Sequence, residues 1–239
     1  MPGLTSSQVL QLWDTVRDWH PLDRALAILA VAFPDETFDT LADLPVGRRD
    51  RRLLEIRSNT LGPVLAGQAE CPACHEPSEF DVAIATLMET GHASLDADEP
   101  ISWVSADGVN LRFRLPNSRD LAYVSRMLAP EDARHALVGR CLLQGDAARL
   151  TSEDVLGMAE RMAENDPLAD IRFDLVCPGC GQPFQTPFEI AAFLWLEIRA
   201  QAHRLLREVD TLARAYGWRE VDILNMSAAR RQMYLEMAW

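Results

Sequence analysis

The sequence predicts a mainly α fold with a small β portion (α+β). Three observations carry that prediction. Apolar residues recur at helical spacing over the first seventy residues and again over the last fifty. Two Cys-Pro-x-Cys pairs, Cys71 with Cys74 and Cys177 with Cys180, each precede an apolar run. Between them, residues 109–115 alternate with the period of two that marks a strand.

Taken in order, Thr5-Ser6-Ser7 opens a helix on which Val9, Trp13, Val16 and Trp19 share a face. Residues 22–33 form a second. Its nine-residue apolar run, 25–33, is far short of the ~20 needed to span a bilayer, so it reads as a buried helix and no membrane partner is expected. Pro34, Pro45 and Gly47 punctuate the next stretch, and a third helix runs through Arg51, Leu53, Leu54, Ile56 and Arg57 to a stop at Gly62-Pro63. Then comes the first cysteine pair and residues 80–88; the same order returns with the second pair and residues 188–196. Phe80-Asp81-Val82-Ala83 aligns with Phe188-Glu189-Ile190-Ala191 across a gap of two residues, while Pro77 and Pro183 stand at equal distances from their cysteines. The pattern reads as a duplicated knuckle, short strand and helix start.

The segment between the copies reads as an insertion. Residues 101–104, the turn at Asp107-Gly108 and residues 109–115 form a β-hairpin, with Val109, Leu111, Phe113 and Leu115 on one face and Asn110, Arg112 and Arg114 on the other. Pro116 ends it. Helices are expected near 118–128, 130–143 and 151–164, the last capped by Thr151 with Glu153 and Asp154 at its positive end. A strand over 170–176 alternates Ile171, Phe173 and Leu175 into the second cysteine pair. The final long helix is expected to begin with a capping box, Thr186-Pro187-Phe188-Glu189, and to end at a left-handed Gly217. Its stripe is Ala191, Leu194, Ile198, Ala202, Leu205, Val209, Leu212 and Tyr216. From 187 to 216 it would be roughly 45 Å long, enough to pack on the N-terminal helices and also to offer part of the stripe to a partner. The expected organisation is an N-terminal helical segment (1–66), a split ribbon (67–90 and 168–188), an inserted hairpin plus helices (91–167) and a C-terminal long helix with short ones (187–239).

Charge and cysteine usage narrow the function. The 239-residue chain has a net charge of −13 and a pI near 4.8, against the basic face of a phosphate-backbone binder. Residues 1–15 lack a basic region followed by an apolar run, so a cytoplasmic site of synthesis is expected. In that setting, four of five cysteines in paired C-P-x-C turns point to a metal before disulfides. Zinc takes four tetrahedral ligands, and each turn presents two sulfurs. Cys71, Cys74, Cys177 and Cys180 therefore make one expected structural zinc site, a split zinc ribbon, with no coordination position left for water. Cys180-Gly181 has the full knuckle form. Cys74-His75 lacks the glycine, so its turn needs a residue tolerant of positive φ, and histidine is among the less penalised. A redox dithiol and metal-free cysteines are the alternatives; His75 replacing a sulfur is a further one. Cys141 reads as a buried small hydrophobe.

No H-E-x-x-H, G-x-S-x-G, Walker loop or zinc-deaminase pattern is present, and His20, His92, His135 and His203 are scattered. A non-enzymatic protein without a small-molecule substrate is expected. Arg48, Arg49, Arg51 and Arg52 read as a solvated helix face paired with Asp50 and Glu55, or as docking points together with Arg230 and Arg231. Trp195 reads as core. Trp218, Tyr234 and Trp239 give an aromatic C-terminus, with Trp239 a candidate contact residue.

Three stretches resemble a known family. Residues 44–50 (Leu-Pro-Val-Gly-Arg-Arg-Asp) with Leu53-Leu54-Glu55-Ile56-Arg57, residues 113–121 (Phe-Arg-Leu-Pro-Asn-Ser-Arg-Asp-Leu), and Ala215-Tyr216-Gly217-Trp218 with Ile223-Leu224 and residues 231–235 are similar to base plate proteins of T-even-type phages, with relatives among extracellular contractile injection systems. The likeness runs from about residue 22 to 235, and the first knuckle departs from it by lacking a glycine after its second cysteine. It implies a non-enzymatic baseplate or hub component, or a baseplate assembly factor, whose partners are baseplate, hub or spike proteins. A zinc-ribbon nucleic-acid binder and a thiol oxidoreductase are the competing readings.

Overall fold

Helix formation at the N-terminus follows local chemistry. The computed structural model describes residues 3–90, 99–105 and 107–238. Helix α1, Ser6–Val16, opens with a reciprocal cap: the Thr5 hydroxyl accepts from the Gln8 N–H at 3.2 Å, and the Gln8 side chain accepts from the Thr5 N–H at 2.9 Å. Trp19, expected to extend this helix, lies beyond its end and is exposed. Pro21 is the reason. It opens α2, Pro21–Ala32, and forces His20 before it into extended backbone. A short helix α3, Phe38–Ala42, capped by Thr37, occupies the punctuated stretch. Helix α4, Val46–Leu61, stops at Gly62.

The two copies of the ribbon match more closely than the sequence alignment proposed. Strand β1, Val64–Glu70, pairs antiparallel with β2, Pro77–Ala83, and α5, Ile84–Thr90, follows. Downstream, β6, Ile171–Val176, pairs with β7, Pro183–Phe188, and α9, Ile190–Tyr216, follows. In both copies a strand ends one residue before the first cysteine. The next starts at a proline three residues after the second, and the helix starts ten residues after it, at Ile84 and at Ile190. The two-residue gap is therefore corrected: without a gap, Val82 overlies Phe188 and Ile84 overlies Ile190. The capping box at Thr186 is corrected too. Residues 186–188 are strand, pairing with residues 171–173, and α9 begins after Glu189 with no side-chain cap.

Helix α9 has 27 residues, about 40 Å at 1.5 Å each. Its stripe is spent inside the molecule: Leu194, Ile198, Ala202, Leu205 and Leu212 are buried against α1, α2, α4 and the short C-terminal helices α10, Glu220–Leu224, and α11, Ala228–Met237. Ala191, Val209 and Tyr216 of the stripe are half-buried. The same core takes the inner faces of the ribbons through a run of rings, Phe80, Phe173, Phe188 and Phe193, with successive centroids 5.0, 5.0 and 5.3 Å apart.

Residues 101–165 surround a second core. Strands β3, Ile101–Val104, β4, Asn110–Phe113, and β5, Leu142–Gln144, form a three-stranded sheet packed against α7, Pro130–Cys141, and α8, Ser152–Asn165, with α6, Ser118–Val124, lying on α7. The expected helices near 118–128 and 130–143 end earlier. In particular, Leu142 leaves the helix to pair with Phe113. Leu111 and Phe113 are buried as expected, but Val109 is exposed.

The arginine cluster pairs with Asp50 and Glu55 as expected, Arg49 with Asp50 and Arg51 with Glu55, but it is half-buried or buried and not a solvated face. Arg49, 4% exposed, bonds Asp50 at 2.7 Å and the Ser118 hydroxyl at 3.3 Å; Arg51 donates to the Met88 carbonyl and Arg52 to Glu36. Arg231 is likewise buried, on Glu208 and the Met226 carbonyl at 2.9 and 2.7 Å. A guanidinium carries five N–H groups in a fixed fork, which suits it to join several acceptors inside a fold. His92 and Trp239 lie outside the described residues.

Candidate metal centre

The two knuckles are built alike. In the first, the Cys71 N–H donates to the Glu76 carbonyl at 3.0 Å and the His75 N–H to the Cys71 carbonyl at 2.9 Å. In the second, the Cys177 N–H donates to Gln182 and the Gly181 N–H to Cys177 at the same two distances. The tight return needs a left-handed residue after the second cysteine. Gly181 has φ 72° and His75 φ 62°, and His75 is the one non-glycine residue with positive φ among the described residues. The tolerance expected of histidine is thus used. His75 itself is exposed and paired with Glu70.

Ligand atoms of Cys71, Cys74, Cys177 and Cys180 all lie within 4.8 Å of one another. Sulfurs meet across the two knuckles, Cys74 to Cys177 at 3.5 Å and Cys71 to Cys180 at 3.8 Å. A tetrahedron with metal–sulfur distances of ~2.3 Å has edges of about 3.8 Å, so this donor set fits a metal ion of that size. Cys71 and Cys177 are buried and Cys74 and Cys180 exposed, which closes the cluster on its inner side. The tips touch through Glu76, whose side chain lies over Gly179; a Cβ there would stand 3.1 Å from its Cγ.

The sulfurs are electrostatically unequal. Backbone N–H groups of Cys180 and Gly179 directed at Cys177 draw its thiol down to about 6. The Glu76 N–H favours the Cys74 thiolate in the same way, but hydrogen bonds shared with the other sulfurs outweigh it and push Cys74 up to about 12. Four thiols held this close cannot all ionise without a cation among them.

Cys141 is buried in the second core beside Asp120, 4.0 Å from its carboxylate, and burial pushes its thiol up to about 12. It is a small hydrophobe far from the cluster in role. His20 caps α2, His203 lies edge-on to Trp13, and both are exposed, as is His135.

Sequence reasoning did not foresee a polar joint between the two cores. The first two N–H groups of α4, which has no side-chain cap of its own, are met from the far segment: Val46 donates to the Pro116 carbonyl at 3.0 Å and Gly47 to buried Asp166 at 2.8 Å. Pro45 bridges Asn117, and Arg119 pairs with Asp43 at 2.8 Å. Behind it, Asp120 is fully buried and accepts from Arg114 at 2.6 and 3.1 Å and from Arg140 at 3.0 Å. Burial would raise this carboxyl, but the bonds from Arg114 and the Asn117 backbone overcome it and hold it below the usual range. Residues 44–50 and 113–121, singled out separately in the sequence, thus face each other. The third stretch also closes on itself: Tyr216 stacks on Trp218 at 4.5 Å and donates to the Tyr234 carbonyl at 3.2 Å.

Comparison of the chain with protein-family models, curated proteins and solved structures finds no match. No described helix is long and apolar enough to cross a membrane.

Proposed function

We propose that this chain is a non-enzymatic structural or assembly component of a contractile-tail or injection-system baseplate, pinned by one structural zinc on Cys71, Cys74, Cys177 and Cys180. The observation that carries the reading is the meeting of four sulfurs from two ribbons more than a hundred residues apart in sequence. Four thiolates fill a tetrahedral shell, so the ion would crosslink the chain and present no site for water or substrate. The baseplate role rests on the resemblance of the three stretches. It is supported by their positions, since residues 44–50 and 113–121 form one joint in the fold. Baseplate, hub or spike proteins are the partners it implies, met at a cytoplasmic site of assembly.

The alternatives have less to stand on. The arginines that motivated a nucleic-acid binder are engaged inside the molecule, in a chain of net charge −13. A C-x-x-C oxidoreductase works within one motif, whereas the sulfurs here gather from two knuckles into one cluster. Metal analysis of the purified protein tests the centre, with one zinc per chain expected and its loss in Cys177→Ser. Deleting the gene from a producer of contractile particles tests the role. Normal particles without it would refute the baseplate reading and leave the metal centre standing.

A further inference from the structure

The two ribbons expose four strand edges, and three are protected. In an antiparallel pair, bonded and non-bonded residue pairs alternate, and residues of a non-bonded pair point their N–H and C=O groups away from the partner strand. The phase is fixed at the knuckles, because Cys71 donates to Glu76 and Cys177 to Gln182. The pairs Glu70/Pro77, Gln68/Glu79, Ala66/Asp81 and Val64/Ala83 are therefore non-bonded, as are Val176/Pro183, Asp174/Gln185 and Arg172/Pro187. The prolines, lacking an N–H, agree with that phase.

Natural edges are blunted by proline or charge. The outward positions of β7 are Pro183, Gln185 and Pro187; β6 has Arg172, Asp174 and, at its end, Val176; β2 has Pro77, Glu79, Asp81 and, at its end, Ala83. On β1 they are Val64, Ala66, Gln68 and Glu70. Arg57 takes the Val64 carbonyl at 2.5 Å, and no partner bonds the outward N–H or C=O of Ala66, Gln68 or Glu70 among the described residues. Between Val64, whose carbonyl Arg57 takes, and the charged Glu70, the neutral Ala66 and Gln68 keep their backbone groups open among the described residues, and this distinguishes the edge.

We infer that the edge of β1 over residues 66–70 is a docking site for an extended segment of another protein, which adds as a third strand and carries basic side chains. The charge of the adjoining face selects this occupant. Glu79 and Asp81, opposite Gln68 and Ala66, are exposed and form no ion pair among the described residues, and the chain has no Arg or Lys between Arg57 and Arg112. A second copy adding through its own β1 would bring no cation to these acids, because residues 64–70 contain neither Arg nor Lys. Main-chain bonds would supply affinity and alternate side chains specificity. This docking edge is independent of the baseplate reading.

The test titrates the metal-loaded full chain with a blocked octapeptide of alternating Arg and Val, and with the same peptide N-methylated at alternate amides. The unmodified peptide is expected to bind at least tenfold more tightly and to slow hydrogen exchange at the amides of residues 66, 68 and 70 at least tenfold. Gln68→Pro, with metal content and melting temperature as in wild type, is expected to lose at least tenfold in affinity. Ala66→Lys, which leaves the backbone intact and decides the matter if the proline variant fails to fold, is expected to weaken binding several-fold. Equal binding of the two peptides, or affinity unchanged in the folded variants, would overturn the proposal. So would a wild-type dimer in sedimentation that Gln68→Pro dissociates, since the occupant would then be a second copy.

Discussion

His75 holds a backbone conformation that costs a β-carbon-bearing residue on the order of 1 kcal/mol. His75→Gly is therefore expected to leave metal-loaded stability unchanged or to raise it by up to about 1 kcal/mol, while His75→Val lowers it by about 1–2 kcal/mol; thermal unfolding of both variants checks the pair. Asp120 makes a pH-dependent contribution of definite sign. Its folded carboxyl titrates below the unfolded value of 3.8, so its stabilisation is complete above that pH and is lost as pH falls through the folded value. Asp120→Asn is expected to be less stable than wild type at pH 7 and to lose less on acidification below pH 4, read from urea midpoints across that window. The His75 turn is legible in the sequence, because a knuckle without its glycine calls for a residue tolerant of positive φ; the role of Asp120 is not. Asp120 looked like an ordinary polar residue in a short motif, because the two arginines that neutralise it come from separate elements.

At the scale of elements, the ribbons show which signals survive in a sequence. Cysteines, prolines and glycine at fixed offsets gave the knuckles and the site, since backbone turns and metal ligation both demand particular residue types. Strand β1 was not legible: Val-Leu-Ala-Gly-Gln-Ala-Glu has weak strand propensity, and it is a strand because β2 and the core lie against it. The capping box at Thr186 failed for the related reason that a long-range ladder with β6 outweighed a local helix signal. The contribution a metal ion on the four cysteines would make also belongs here. A crosslink from Cys74 to Cys177 closes a loop of about a hundred residues, which on chain-entropy grounds contributes on the order of 4–5 kcal/mol. Cys177→Ser is expected to lose the metal and about that much stability, measured by denaturant unfolding. In hydrogen exchange of the chelated wild type, β1, β2, β6 and β7 are expected to lose protection while α2 and α9 keep theirs.

For the whole molecule, two cores joined at one polar seam raise the question of how they communicate. The four cysteines bring the two ribbons together against the first core. Helix α4 starts at the seam, and Asp166, which accepts from Gly47, lies only a few residues before β6 and the second cysteine pair. One segment, residues 166–177, therefore links the seam to the second cysteine pair. Gly47 is the residue on which this depends, because a Cβ there would stand 1.8 Å from the Asp166 carboxylate. Gly47→Ala must expel Asp166 or displace the start of α4, at a cost of about 3 kcal/mol for a lost buried bond and overpacking. The cost falls on the seam and leaves both cores' apolar contacts intact. Metal-loaded wild type is expected to melt in a single transition, whereas Gly47→Ala separates it into two in calorimetry. The earlier one should coincide with the fluorescence change of Trp103, which packs on Gly157 in the second core. One transition in the variant, merely shifted downward, would mean that the cores are coupled through more of the chain than this seam.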